Sequence, residues 1–294
     1  MKKIPPIMAV CFWGITAAIS LTGCAFGTER INYNTNNNTE MPKICEQQLK
    51  DCFGEEAILS DGVEKEERFF NEFERTDVIT HYTEWELTYE NAAGQEGSFL
   101  FNNRIGRKPV QEHLEDSLER YFCDLTRQYY QQQFFVQAVA KIPGCMEDKS
   151  VVYFQPYRLF SMPDVPETTI MFDERLHYSL SENIYFPQLQ YDAVFRDFPY
   201  ILNMYFYVGY QSAEETERIK QRREIERSIR EVIDEMARYT GNTLNATASV
   251  TMMDERGAVD GFSLAVLNGT VYEKGRGTEF EIALHENFFG PIDD

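Results

Sequence analysis

Histidine and tryptophan are scarce in this 294-residue chain, with four of one and two of the other. His81, His113, His177 and His285 lie far apart in sequence, and no pair has the spacing by which H-E-x-x-H holds zinc on one helix face. Each reads as a surface or structural histidine. No glycine-rich loop of the phosphate-cradling kind is present. Basic residues are also few, 28 against 48 acids, for a net charge of −20. So acidic a surface repels phosphate, which argues against nucleic acid as a partner and against lying flat on anionic lipid. It is compatible with cationic peptides, proteins or Ca²⁺, and equally with solubility alone. A membrane-crossing helix needs about 20 apolar residues, and no run reaches that length.

Motifs that carry chemistry are equally hard to find. "GFSLA" (261–265) ends in Ala265 where a nucleophile elbow needs glycine, and it sits in a strand pattern. "DERGAVDG" (254–261) does not place its acids at alternate calcium-ligand positions, so it reads as a turn. Carboxylates are too common for their sequence neighbours to mean anything. No catalytic residue, metal ligand or cofactor is assigned. Cys45, Cys52, Cys123 and Cys145 allow three disulfide pairings, and none of their spacings matches a zinc site. In "ICEQQLKDCFG", Cys45 and Cys52 fall on one face of a short helix about 10 Å apart, beyond disulfide reach. They read as small buried hydrophobes.

The amino-terminal residues carry the clearest pattern. Met1-Lys2-Lys3 precedes the fifteen-residue apolar run Ile7–Leu21, and Leu21-Thr22-Gly23-Cys24 follows. A charged start, a short apolar centre and a small-residue site together have the form of a secretory signal peptide. Leu21–Cys24 resembles the lipobox of bacterial lipoproteins. That resemblance implies cleavage after Gly23 and lipid (such as palmitate) on Cys24. It also implies a chain anchored to the cell membrane on its extracytoplasmic side. Two or more acyl chains anchor stably where one does not. Losing residues 1–23 removes Lys2 and Lys3 and no acid, so the net charge moves from −20 to −22. Residues 24–42, rich in Asn and Thr, read as the lipidated cysteine and a flexible tether.

Residues 43–294 read as a single α+β domain, with a subdivision near 180 as an option. A short helix at 43–53 is followed by "EKEERFFNEFER" (64–75), whose Phe69, Phe70 and Phe73 share a helical face. Trp85, Leu87 and Tyr89 then alternate with acids and threonine, which predicts a hairpin over 78–102. Pro109 opens a long amphipathic helix with Val110, Leu114, Leu118, Tyr121, Phe122, Leu125 and Tyr129 as its stripe, and Pro143-Gly144 lies beyond its end. Strands are predicted at 150–160, with Pro156 marking an edge or bulge, and at 168–172. "AVFRDF" and "YILNMYFYVGY" also read as strands. Ser212 and Glu215 form a capping box for a second long helix, which carries Glu226–Arg230 and Asp234–Arg238 pairs and stops at Gly241. Strand candidates at 246–254, 262–273 and 278–286 read as an antiparallel meander. Antiparallel sheets with two long amphipathic helices make an α+β fold, and the order of elements suggests two similar halves.

One compositional oddity bears on function. Asn183–Tyr210 holds ten aromatic residues in twenty-eight. Its bland reading is core. Its functional reading is a binding face carried by Tyr191, Tyr205 and Tyr207, because exposed rings anchor partners. The expectation is a membrane-anchored lipoprotein whose domain binds an unidentified protein or envelope component. An extracytoplasmic hydrolase of cell-wall or polymeric substrates is the alternative. A solute-binding lipoprotein of a transporter fits less well, because alternating strand–helix units are absent.

Overall fold

The computed structural model describes residues 30–34, 39–71, 76–104, 109–156 and 179–272. Cys24, His177, His285 and the strands predicted at 168–172 and 278–286 lie outside the described residues. The fold is α+β. Two compact units are formed, one from Met1–Gln47, Ile58–Thr88 and Ser98–His113, the other from Gln48–Ala57, Tyr89–Gly97 and Leu114–Asp294. No described helix is long and apolar enough to cross a membrane.

The first unit is organised around one strand. β4 (Thr76–Glu90) pairs parallel with β1 (Arg30–Asn34) and antiparallel with β2 (Ile58–Leu59) and β3 (Val63–Asn71). β5 (Glu96–Asn102) also pairs with β4. The hairpin expected over 78–102 is present. Its turn closes on Asn91, whose side-chain oxygen accepts from the backbone N–H of Ala93 and Gln95. Trp85 is buried and stacks on Phe101, with Phe99 behind it.

Two expectations change here. Residues 30–34, inside the stretch read as tether, form β1, and "RINYN" has the alternation of a strand. The helix expected over 64–75 is instead β3, running from Val63↔Glu84 to Asn71↔Thr76 against β4. Adjacent phenylalanines suit either state, and pairing with β4 overrides their helical spacing.

The second unit carries a sheet of order β10-β9-β8-β7-β6. Its strands are β6 (Val151–Pro156), β7 (Tyr200–Gly209), β8 (Ala246–Asp254), β9 (Gly257–Leu267) and β10 (Thr270–Tyr272). The helices are α1 (Met41–Ile44, in the first unit), α2 (Glu46–Phe53), α3 (Val110–Tyr130), α4 (Val136–Lys141), α5 (Val194–Asp197) and α6 (Glu215–Tyr239). β8, β9 and β10 form an antiparallel meander, but β7 and β8 run parallel, with α6 as the crossover between them. The two sheets therefore differ in strand order, and each mixes one parallel pair among the described residues with antiparallel ones.

One face of the second sheet is core. Phe122 of α3 meets Phe154, Phe198 and Tyr200 at 4.8–5.5 Å between ring centres. Phe135 stacks on Phe206, and α6 buries Ile225, Ile229, Val232, Ile233 and Met236. α3 passes into α4 through a π-helical turn, Gln131–Phe135, in which Phe134 and Phe135 are both buried. The run stops before Gly144, whose φ of +79° and 2.6 Å approach of a Cβ position to the Gly209 carbonyl leave room only for glycine.

Three local readings are corrected in this unit. "AVFRDF" is the helical turn α5, closed by Arg196 and Asp197 N–H donating to the Ala193 carbonyl. The capping box does not form: α6 starts after Glu214, and the Ser212 hydroxyl accepts from Glu214 N–H. Glu226–Arg230 pairs at 2.9 Å, whereas Arg238 donates to the backbone carbonyl of Asp234. Gly241 does end the helix, with φ +62°, and Asn242 N–H donates to the Ala237 carbonyl.

Candidate functional site

Strand pairing fixes which side chains share the outer face of the second sheet, because directly opposed residues point the same way and alternate residues along a strand repeat it. One row runs Val151–Tyr205–Ser249–Ser263. The next runs Tyr153–Asn203–Thr247–Ala265–Tyr272. A third holds Tyr207, Thr251 and Gly261. These three rows contain no charged residue, although 26% of the chain is charged. Aromatic rings, hydroxyls and an amide make up the polar part of the surface.

Several of these groups reach solvent. Tyr153 is 50% exposed, Tyr205 38% and Val151 37%, while Tyr207, Ser249, Thr251 and Ser263 are half-buried. The Tyr153 and Tyr205 rings meet edge to face, 5.9 Å apart at 71°, so each fixes the other's orientation. Asn203 between them is buried. Its side-chain oxygen accepts from the Thr247 hydroxyl at 2.7 Å, and its amide nitrogen has no hydrogen-bond partner among the described residues. The neighbouring backbone is held by Ser150, whose hydroxyl accepts from Tyr207 N–H and donates to the Met146 carbonyl.

Of the three tyrosines read from the sequence, Tyr205 and Tyr207 belong to this face and Tyr191 does not. Tyr191 lies on the helix side of the sheet, stacked on Tyr129 at 4.1 Å and 5°. Its carbonyl accepts from the Tyr130 hydroxyl. The Tyr129 and Tyr239 hydroxyls bond at 2.6 Å, and burial raises the Tyr130, Tyr191 and Tyr239 phenols above their ordinary value. This second cluster is packing around neutral phenols. Tyr153, Asn203 and Ser249 were not singled out in the sequence, although V-Y-Q alternation in "SVVYFQP" carries the signal for the first.

Among the described residues no three His, Cys, Asp or Glu side chains are placed to hold a metal ion. None of Cys45, Cys52, Cys123 and Cys145 is joined to another by a disulfide among the described residues. Burial pushes Cys45 up to about 11 and Cys52 up to about 12, the latter helped by Glu115 and Asp51. The Cys52 thiol donates to the Ser181 carbonyl. His81 lies 3.9 Å from Glu66, and the His113 ring bonds the Asn102 carbonyl. Ser263 sits within β9 opposite Ser249. A hollow of about 410 Å³ along α6 is lined by Thr216, Ile219, Lys220, Arg223, Glu224 and Arg227. No protein-family model, curated protein or solved structure matches the chain.

Proposed function

We propose that this chain is a lipoprotein anchored at Cys24 to the outer side of the cell membrane, and that it binds a protein or another envelope component. The anchor reading rests on the charged start, the apolar run and Leu21–Cys24. The binding reading rests on one observation above the rest: an uncharged sheet face with exposed, mutually oriented Tyr153 and Tyr205 in a chain of net charge −20. Rigid tyrosines supply contact area at low entropic cost, with small hydroxyl residues around them adapting to the partner.

Both halves of the reading are testable. Mass spectrometry of membrane-extracted protein is expected to find a mature chain beginning at acylated Cys24, and Cys24→Ala to release it from the membrane fraction. An intact Met1 with unmodified Cys24 sinks the anchor. A soluble form starting at Ala25 serves as bait for envelope extracts, beside its Tyr205→Ala/Tyr207→Ala variant. A component retained by the first and lost from the second supports the binding face. Equal retention by both sinks it.

A further inference from the structure

Basic residues are concentrated on α6. Residues 218–230 hold six of the chain's 28 lysines and arginines with two acids, a local charge of +4 in a chain of −20. Helical spacing divides the six into two sets. Arg218, Arg222 and Arg230 are half-buried and reach Asp254 at 3.6 Å, Asp260 at 2.7 Å and Glu226 at 2.9 Å. Lys220, Arg223 and Arg227 are exposed, and with Thr216, Ile219 and Glu224 they line the hollow along the helix. The Lys220 side chain is 75% exposed and Ile219 47%. Lys220 stands 3.7 Å from Glu217, a surface pair too weak to hold it. Glu217 precedes this stripe and Glu231 follows it, so the cationic part is short. From Ile219 to Arg227 it runs about 12 Å at 1.5 Å per residue.

We infer that this stripe seats the second unit on anionic membrane lipid, with Lys220, Arg223 and Arg227 meeting headgroup phosphates and Ile219 entering the boundary between them. This rests on the anchor reading above, which keeps the bilayer within reach. Interfacial helices have this composition, cations whose long stems reach outward around an apolar side chain. The net charge of −20 does not forbid the contact. Screening confines a surface charge to about 8 Å at physiological salt, less than the stripe's own length. Elsewhere the acids repel the same lipid, so the stripe selects one orientation. Each basic residue near an anionic surface strengthens contact about fivefold. Three cations set against Glu224 give about 25-fold, too little to hold a free protein and enough to orient a tethered one, because the tether raises the effective concentration. α6 packs against α4 on the helix side of the second sheet, where Phe135 meets Phe206. The tyrosine rows on the other side are then left facing away from the lipid.

The test holds the chain from Ala25 by an amino-terminal histidine tag on nickel-chelating vesicles, made of phosphatidylcholine alone or mixed with phosphatidylglycerol. A water-soluble acetylating reagent then reports which lysines the bilayer covers, read by mass spectrometry, with exposed Lys149 as reference. Acetylation of Lys220 is expected to slow about fivefold or more relative to Lys149 on the anionic vesicles only, and to recover at high salt. That comparison needs no protein variant. Arg223→Glu/Arg227→Glu, both at exposed positions, is expected to restore Lys220 labelling on the anionic vesicles.

Equal Lys220 labelling on both vesicles, protection that persists in the charge-reversed variant, or protection on phosphatidylcholine alone overturns the proposal. Slowing by inorganic phosphate without vesicles marks a small-anion site, and slowing that grows with protein concentration in solution marks a second copy. Either overturns it. In cells, Lys220→p-benzoylphenylalanine at a bilayer meets mixed lipids and gives no discrete protein adduct. Such an adduct would assign the stripe to a protein and overturn the proposal. The tag supplies the tether whether or not Cys24 carries lipid, so failure of the anchor and failure of this face are read separately.

Discussion

Cys45 and Cys52 are 1% and 0% exposed, and burial holds both thiols in their protonated form. Their folded values, about 11 and about 12, lie above the ordinary 9.0. The folded chain therefore binds these protons more tightly than the unfolded chain does. Their contribution to stability is complete below pH 9 and is lost as the pH climbs through the folded values. Unfolding free energy is expected to fall from pH 9 upward, with a shallower fall in Cys45→Ala/Cys52→Ala. Iodoacetamide at pH 8 should label neither thiol until denaturant unfolds the chain, and rapid labelling of the native protein would contradict their burial. Asn203 makes a different prediction. Thr247→Val leaves its oxygen without the Thr247 hydroxyl and should cost about 1–3 kcal/mol. Replacing Asn203 and Thr247 together by valine removes the Asn203 amide, unpartnered among the described residues, as well and should cost less than the single change. Chemical denaturation of the two variants measures both.

Among elements, α3 carries the largest single expectation. Phe122 is fully buried against three rings, and Phe122→Ala should destabilise the protein by about 3–5 kcal/mol. Tyr205→Ala, at an exposed position, should change stability by under about 0.5 kcal/mol, so a binding loss there is not a folding loss. Much of α3 was legible because Leu114, Leu118 and Phe122 repeat at helical spacing and all prove buried. The hairpin of β4 and β5 was legible from strict alternation, and Pro156, read as marking an edge or bulge, closes a strand that is last in its sheet among the described residues. β3 was not legible, because its state is set by a partner strand rather than by its own spacing. The parallel pairing of β7 with β8 is likewise non-local, decided by where α6 returns the chain. At the candidate site, Tyr205 and Tyr207 could be read from one strand. Asn203 shares that strand's alternation, Tyr153 joins them only through register, and Tyr191 left the group because its ring stacks on Tyr129.

For the whole molecule, the relevant contrast is between net charge and the charge of one face. A chain at −20 keeps itself dispersed by repulsion, while the rows around Tyr205 offer a partner no charge to meet. Binding through that face should therefore change by less than about threefold between low and high salt, since screening acts on charged contacts. A steep salt dependence, measured by titration calorimetry, would move the contact elsewhere. The most direct measurement places a photo-crosslinking residue in the full-length chain inside intact cells. Tyr205→p-benzoylphenylalanine and Tyr207→p-benzoylphenylalanine should each give a discrete adduct with an envelope component, and the same residue in place of Lys220 on α6 should not. Adducts from position 220 with none from 205 or 207 would contradict the account.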